Sequence, residues 1–251
     1  MSHTEARGAR LRAAVKACAP ALGAVAVFVL CFRWSPAWLL PFLLTAPLAW
    51  PFFALIRRGN ERAALSQALV WALALVLCAT SISMVWPLEA EQAIWRSRPY
   101  AEETLHWVRT GEGPEGSPRL FLPRQALELV AFSALALATG GMGALVLGAA
   151  LLNYMSFYVA CLWRLSGGIP AALALGWPPW ALIRVVAYVA LGTGLARPLL
   201  ARLPPRAQIP CRISRGLVLA GLAGVLLDVI LKATLAPLWR RLLIAALGGA
   251  P

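Results

Sequence analysis

Apolar residues run along this chain in stretches of about twenty, the length a helix needs to cross the hydrocarbon core of a bilayer. Seven such windows can be placed, roughly 15–33, 36–56, 64–86, 125–141, 143–163, 180–199 and 215–237. The fourth and fifth are contiguous, and as one helix 125–163 would reach about 58 Å, far beyond a bilayer. Gly140-Gly141-Met142-Gly143 is the natural break, so the pattern predicts a tight hairpin there, with a re-entrant pair as the alternative. The fold this predicts is all-α: a polytopic transmembrane bundle of about seven spans, with 1–251 a single membrane domain. Two segments do not span. Residues 166–179, apolar but rich in Gly and Pro, are expected to lie in the interface or dip back into it. Residues 87–124 form a long loop in which Pro99 opens a surface-lying helix, with Glu102 and Glu103 in its first turn and Ala101, Leu105 and Val108 sharing a face.

Composition sharpens the class. Of the 251 residues 61% are apolar and 13% charged, with a mean hydropathy of +0.74, whereas a soluble chain carries about one-quarter charged residues. The net charge of +13 would suit a nucleic-acid binder if it were spread over one face. It is not: residues 87–125 hold six acids and five arginines, net −1, and the remaining basic residues cluster in short segments between apolar runs. That is the layout of cytoplasmic loops, and no nucleic-acid partner is expected.

Counting Lys and Arg also orients the chain. Arg7, Arg10, Arg12 and Lys16, then Arg57, Arg58 and Arg62, then Arg197, Arg202, Arg206, Arg212 and Arg215 fall on one side if the N-terminus is cytoplasmic. The 87–124 loop is then periplasmic. Lys232, Arg240 and Arg241 break the rule, in what reads as a short amphipathic C-terminal tail. Seven of eleven tryptophans (Trp34, Trp38, Trp86, Trp163, Trp177, Trp180 and Trp239) fall at the non-cytoplasmic span ends, where their rings prefer to sit. The basic N-terminus lacks a small-x-small cleavage site after its apolar run and reads as an uncleaved first span. The location expected is a cell membrane, multi-pass, with the arginine-rich balance suiting a bacterial inner membrane.

Ionisable groups inside spans mark function or pairing because they are costly in lipid. Asp228 and Lys232 lie one turn apart on the last span, and depth arithmetic brings Glu128, Arg184 and Arg164 to the same outer level. The pairs expected are Asp228 with Lys232, and Glu128 with Arg184 or Arg164. A sharper reading is an outward-facing pocket holding an anionic headgroup or a peptide end against Arg184 and Lys232. Gly216, Ala220, Gly224, Asp228, Lys232 and Ala236 recur every four residues and read as a packing seam, open to membrane lipids and to a second membrane subunit. Asn153, midway through the fifth span, reads as interhelical glue.

Glu102, Glu103 and His106 put two carboxylates one turn before an imidazole, the elements of acid–base chemistry. Membrane-embedded glutamate proteases use Glu-Glu-x-x-x-Arg with histidines on other spans. Here Arg109 stands at the wrong distance and no span holds a histidine, so no resemblance is drawn. Cys18, Cys31, Cys78, Cys161 and Cys211 show no CxxC spacing, and neither a metal nor a cofactor is expected. The function expected is a non-enzymatic transport, assembly or lipid-handling component of the inner membrane. The alternative is a membrane-embedded hydrolase or transferase at the periplasmic surface, with Glu102 or Glu103 as base and His106 as proton shuttle.

Overall fold

The computed structural model describes residues 18–202 and 212–248. His3, the basic residues Arg7 to Lys16, the first residues of the first window, Arg206 and Cys211 lie outside the described residues. The described chain is helical without strands: α1 (Cys18–Cys31), α2 (Leu40–Arg57), α3 (Glu61–Val85), α4 (Pro87–Ala93), α5 (Ser97–Thr110), α6 (Pro118–Thr139), α7 (Met142–Leu165), α8 (Pro170–Gly176), α9 (Pro179–Leu195), α10 (Arg197–Leu200) and α11 (Arg215–Ala246). Among the described residues, six helices are long and apolar enough to cross a bilayer, and α1 is a shorter apolar helix. The chain is therefore a multi-pass membrane protein built as a helical bundle of about seven spans.

Local chemistry sets the breaks. Asn60 accepts the amide of Ala63 and caps α3, with Glu61 in the first turn facing the positive end of the helix dipole. Gly140 and Gly141 have φ of 62° and 94° and turn α6 into α7. A Cβ on Gly140 would stand 3.0 Å from Leu200, and one on Gly141 3.0 Å from Phe52, so glycine is needed for space as well as for backbone angle. The arms of this hairpin are 22 and 24 residues long. The first begins at Pro118, which suits the opening position of a helix, seven residues before the expected start, and it carries Pro123 inside it.

Contacts sort the loops into two ends. At one, the Arg197 Nε lies 2.6 Å from Glu61, Ser214 donates to the same carboxylate, and the 140–141 turn rests on Leu200 and Ala196. At the other, Arg33 pairs with Glu89 at 3.5 Å, Trp239 donates to the Leu175 carbonyl ending α8, and Arg240 donates to the carbonyls of Trp107, Val108 and Arg109 ending α5. The Trp107 carbonyl also accepts from the Gly111 amide at 2.8 Å, and the guanidinium answers lone pairs left at this helix end together with the negative end of the dipole.

Three expectations change. α11 runs unbroken through Pro237 to Ala246, so Arg240 and Arg241 continue the last helix rather than sit in a separate tail. The expected packing seam holds only in its later part. Gly216 would carry a Cβ in open space and Ala220 is exposed, whereas Gly221, Val225, Asp228, Lys232 and Ala236 are buried. A strict four-residue repeat gains about 40° per step on a 3.6-residue helix, so four steps from Gly216 to Lys232 turn through about 160°. Gly224 does belong to the contact, its Cβ position 2.7 Å from Ala187 on α9. Finally, Trp180 is 1% exposed and packs the interior, with the half-buried Trp239 meeting it edge to face.

The packing centres on α7 and α9. A main hydrophobic cluster joins α1, α2, α3, α5 and α7 through side chains such as Phe28, Leu44, Trp71 and Leu162. A smaller one, Phe132, Ala136, Ala144, Tyr188, Leu191 and Val225, attaches α6 to α9 and α11. α11 lies along α9 and meets α6 through the side chains of Gln125 and Phe121. The space where the two clusters separate is the feature of functional interest.

Candidate functional site: a charged chamber between two apolar clusters

The chamber has a cavity volume of about 100 Å³, enough for several waters or a small headgroup. Residues from α3, α5, the loop after it, α6, α7, α9 and α11 wall it. Gln125 lies seven residues into α6, which sets the chamber roughly 10 Å inside that end of the bundle.

Regular periodicity aims the polar groups inward. On α6, Phe121, Gln125, Phe132 and Ala136 are buried, and Glu128 lies on the same face between them. On α9, Arg184 and Tyr188 are one turn apart, and on α11 so are Asp228 and Lys232. Asp228 is fully buried and answered three times: Arg184 donates through Nε and Nη2, each at 2.9 Å, and Gln125 donates through Nε2. Such forked, charge-assisted pairing compensates a carboxylate withdrawn from water. Lys232, 3% exposed, holds Glu115 at 3.0 Å and lies 4.6 Å from the centre of the Phe121 ring. Arg124 places Nη1 at 3.1 and 3.0 Å from the two oxygens of Glu103, and its Nε is 3.7 Å from Glu128.

The pairs therefore differ from those expected. Asp228 takes Arg184 rather than its helical neighbour Lys232, Lys232 takes Glu115 from the loop, and Glu128 has Arg124 beside it. Arg164 is exposed and donates to Cys161 Sγ at 3.2 Å, away from the chamber. Asn153, 2% exposed, is buried in α7 with an Oδ1 that no hydrogen bond reaches, so the structure shows no partner helix for that atom. Of the three candidate acid–base residues, only Glu103 reaches the chamber. Glu102 is exposed and pairs with Arg98 at 2.7 Å, and His106 is exposed, with no hydrogen bond to either acid.

Aromatic side chains supply the remaining wall. Tyr100 meets Tyr154 at 4.4 Å and Tyr158 at 6.1 Å between ring centres, and Phe132 stacks on Tyr188 at 4.7 Å. α5 is thus more than a surface helix: through Tyr100, Glu103 and Thr104 it closes the chamber. Burial, then the charge of Glu115 and the neighbouring tyrosines, raises the Tyr100 hydroxyl well above its usual ionisation range, so it stays neutral.

Gln125, Arg124, Glu115, Tyr100 and Tyr188 are not among the site residues expected from the sequence. Arg124 and Gln125 sit at the edge of the fourth window, where Pro123 reads as a boundary; the spacing Phe121, Gln125, Phe132, Ala136 was the available signal. Glu115 lies in a glycine- and proline-rich loop that no periodicity describes. Among the described residues, no group of three or more His, Cys, Asp and Glu side chains is placed to hold a metal ion. Compared with protein-family models, with curated proteins and with solved structures, the chain finds no match. Its class is set by its own architecture: a multi-pass membrane bundle with a charged, aromatic-walled chamber near one end.

Proposed function

We propose that this protein is a non-enzymatic inner-membrane component that binds an amphiphile in the chamber, in transport or lipid handling, with the chamber on the outer-leaflet side. The observation that carries this reading is the separation of the two apolar clusters around charged side chains, three carboxylates of which are already paired. A purely structural network would be packed closed, whereas here about 100 Å³ is kept open among them. α6, joined to α11 through side chains, is the element beside which an acyl chain would trail into the bilayer.

The geometry gives the hydrolase or transferase alternative less support. Glu103 is committed to Arg124 and His106 faces away, so no carboxylate–imidazole pair is assembled. Membrane lipids are the partners in this reading. A second subunit docking on the small-residue stripe of α11 would be confined to Gly216 and Ala220, because Gly224 is taken by α9.

Gly148 provides the test. It lines the chamber, and a Cβ there would meet nothing within 4 Å beyond its own turn of helix among the described residues. Gly148→Phe should fill the chamber while leaving the backbone unperturbed. Native mass spectrometry of the protein extracted from its membrane should show a retained amphiphile in the wild type and its loss in the variant. Equal retention in both would refute the reading.

A further inference from the structure

The chamber's pairing leaves an inventory that does not balance. Three cations face it, Arg124, Arg184 and Lys232, and each is committed to one carboxylate: Glu103, Asp228 and Glu115 respectively. Glu128 is the fourth carboxylate. Among the described residues it accepts no hydrogen bond, and its nearest cation is the Arg124 Nε at 3.7 Å, on a guanidinium already held by Glu103. An excess negative charge at this depth is costly unless something positive answers it.

Two further wall groups have a buried polar atom with no hydrogen-bond partner. Gln125, 5% exposed, spends its Nε2 on Asp228, and its Oε1 is buried with no partner. Tyr188, also 5% exposed, has a buried hydroxyl with no partner. Glu128 and the Gln125 oxygen can only accept hydrogen bonds when the carboxylate is ionised, and the Tyr188 oxygen can accept one as well. The rings of Phe132 and Tyr188 beside them, and those of Trp71, Tyr100 and Tyr154, offer the electron-rich faces that attract cations.

We propose that the chamber recognises the primary ammonium group of an amine-bearing amphiphile, with Glu128 as counter-charge and Gln125 Oε1 and Tyr188 Oη accepting its N–H groups. This rests on the amphiphile-binding reading above and reverses the polarity expected from the sequence. An anion placed against Arg184 and Lys232 would have to displace Asp228 and Glu115. A quaternary ammonium would satisfy the charge but leave the two neutral acceptors unpaired, so primary amines should be preferred.

Calorimetric titration of the full chain in neutral maltoside micelles, using octylammonium, octyltrimethylammonium, octanol and octanoate, tests both layers. Octylammonium should bind at least about tenfold tighter than octanol or octanoate, and more tightly than the trimethyl form. Glu128→Gln should erase that margin without changing octanol binding, Glu128→Asp should keep most of it, and Tyr188→Phe should reduce it about fivefold. The last two keep the test decisive should Glu128→Gln fail to fold. If no probe binds in a way that Gly148→Phe abolishes, the chamber reading itself fails. If octanol binding is abolished by Gly148→Phe while octylammonium binds no tighter than octanoate, the chamber stands and the ammonium inference is overturned. The inference also falls if Glu128→Gln and Tyr188→Phe, both folded, bind octylammonium like the wild type. Competition by micelles doped with phosphatidylethanolamine identifies the source: displacement assigns the site to a lipid headgroup, and no displacement assigns it to a free amine.

Discussion

Asp228, fully buried, depends on Arg184 for its charge partner, and what each requires of the other can be measured. Asp228→Asn keeps the shape but leaves the Arg184 guanidinium without its carboxylate, and breaking a buried pair from one side costs about 3 kcal/mol or more. Thermal unfolding in detergent should show a clear drop for Asp228→Asn. The double variant Asp228→Leu with Arg184→Met should recover much of it, because no stranded charge remains. A double variant no more stable than the single one would mean the pair contributes net stabilisation beyond mutual compensation. That these residues meet was legible from depth alone, since both were placed near the outer ends of their spans. Which acid meets which cation was not. An i, i+4 pair on one helix is worth only about 0.3–0.5 kcal/mol, and a forked guanidinium reaching across from α9 outcompetes it. Lys232 meanwhile has a stem long enough to reach Glu115, which sits in a loop of the kind sequence periodicity cannot place.

At the scale of elements, the contact between α9 and α11 depends on the absence of side chains. A Cβ at Gly221 would stand 2.9 Å from the Ala187 carbonyl oxygen and from Leu191, and one at Gly224 only 2.7 Å from the Ala187 Cβ. Helices in lipid gain association from close backbone approach, because lipid offers no hydrophobic contrast. Gly221→Leu should force α11 away from α9, lowering stability by about 1–3 kcal/mol and parting Asp228 from Arg184. Gly216→Leu, with open space around it, should leave the melting temperature nearly unchanged. The reverse order in a thermal scan would restore the four-residue stripe as the packing face. The helices themselves were readable from apolar runs and from Gly140-Gly141. Only the start of the α11 packing face was misplaced, at Gly216 and Ala220, because a four-residue repeat drifts on a 3.6-residue helix. The role of α5 was half legible: its buried face includes the expected Ala101 and Val108, but Tyr100, which carries it into the chamber, was not among them.

For the whole molecule, the C-terminal cations bear on how the bundle sits in the membrane. Counting them as loop charges set Lys232, Arg240 and Arg241 against the orientation that the basic clusters of other loops favour. The structure gives two of the three another role, since Lys232 holds Glu115 and Arg240 caps the carbonyl end of α5. A cation bound to an acid or a helix terminus has its charge answered locally, so its place in the sequence says little about the side it occupies. With these two set aside, the positive-inside count favours the 57–61 turn, the 140–141 turn and the 197–215 segment facing the cytoplasm, and the α4–α5 segment facing outward. The contacts already group these loops into two opposite ends, so a single pair of sites decides the orientation. In a variant freed of native cysteines, Glu112→Cys in the loop after α5 and Arg58→Cys after α2, both exposed, should react from opposite faces with a membrane-impermeant maleimide. Applied outside intact spheroplasts, the reagent should label position 112 and spare position 58 until the membrane is opened. Labelling at 58 alone would invert the molecule and put the chamber in the inner leaflet. Labelling of both from one side would mean that an odd number of crossings between them is wrong, which would break the grouping of the two ends on which the chamber's position depends.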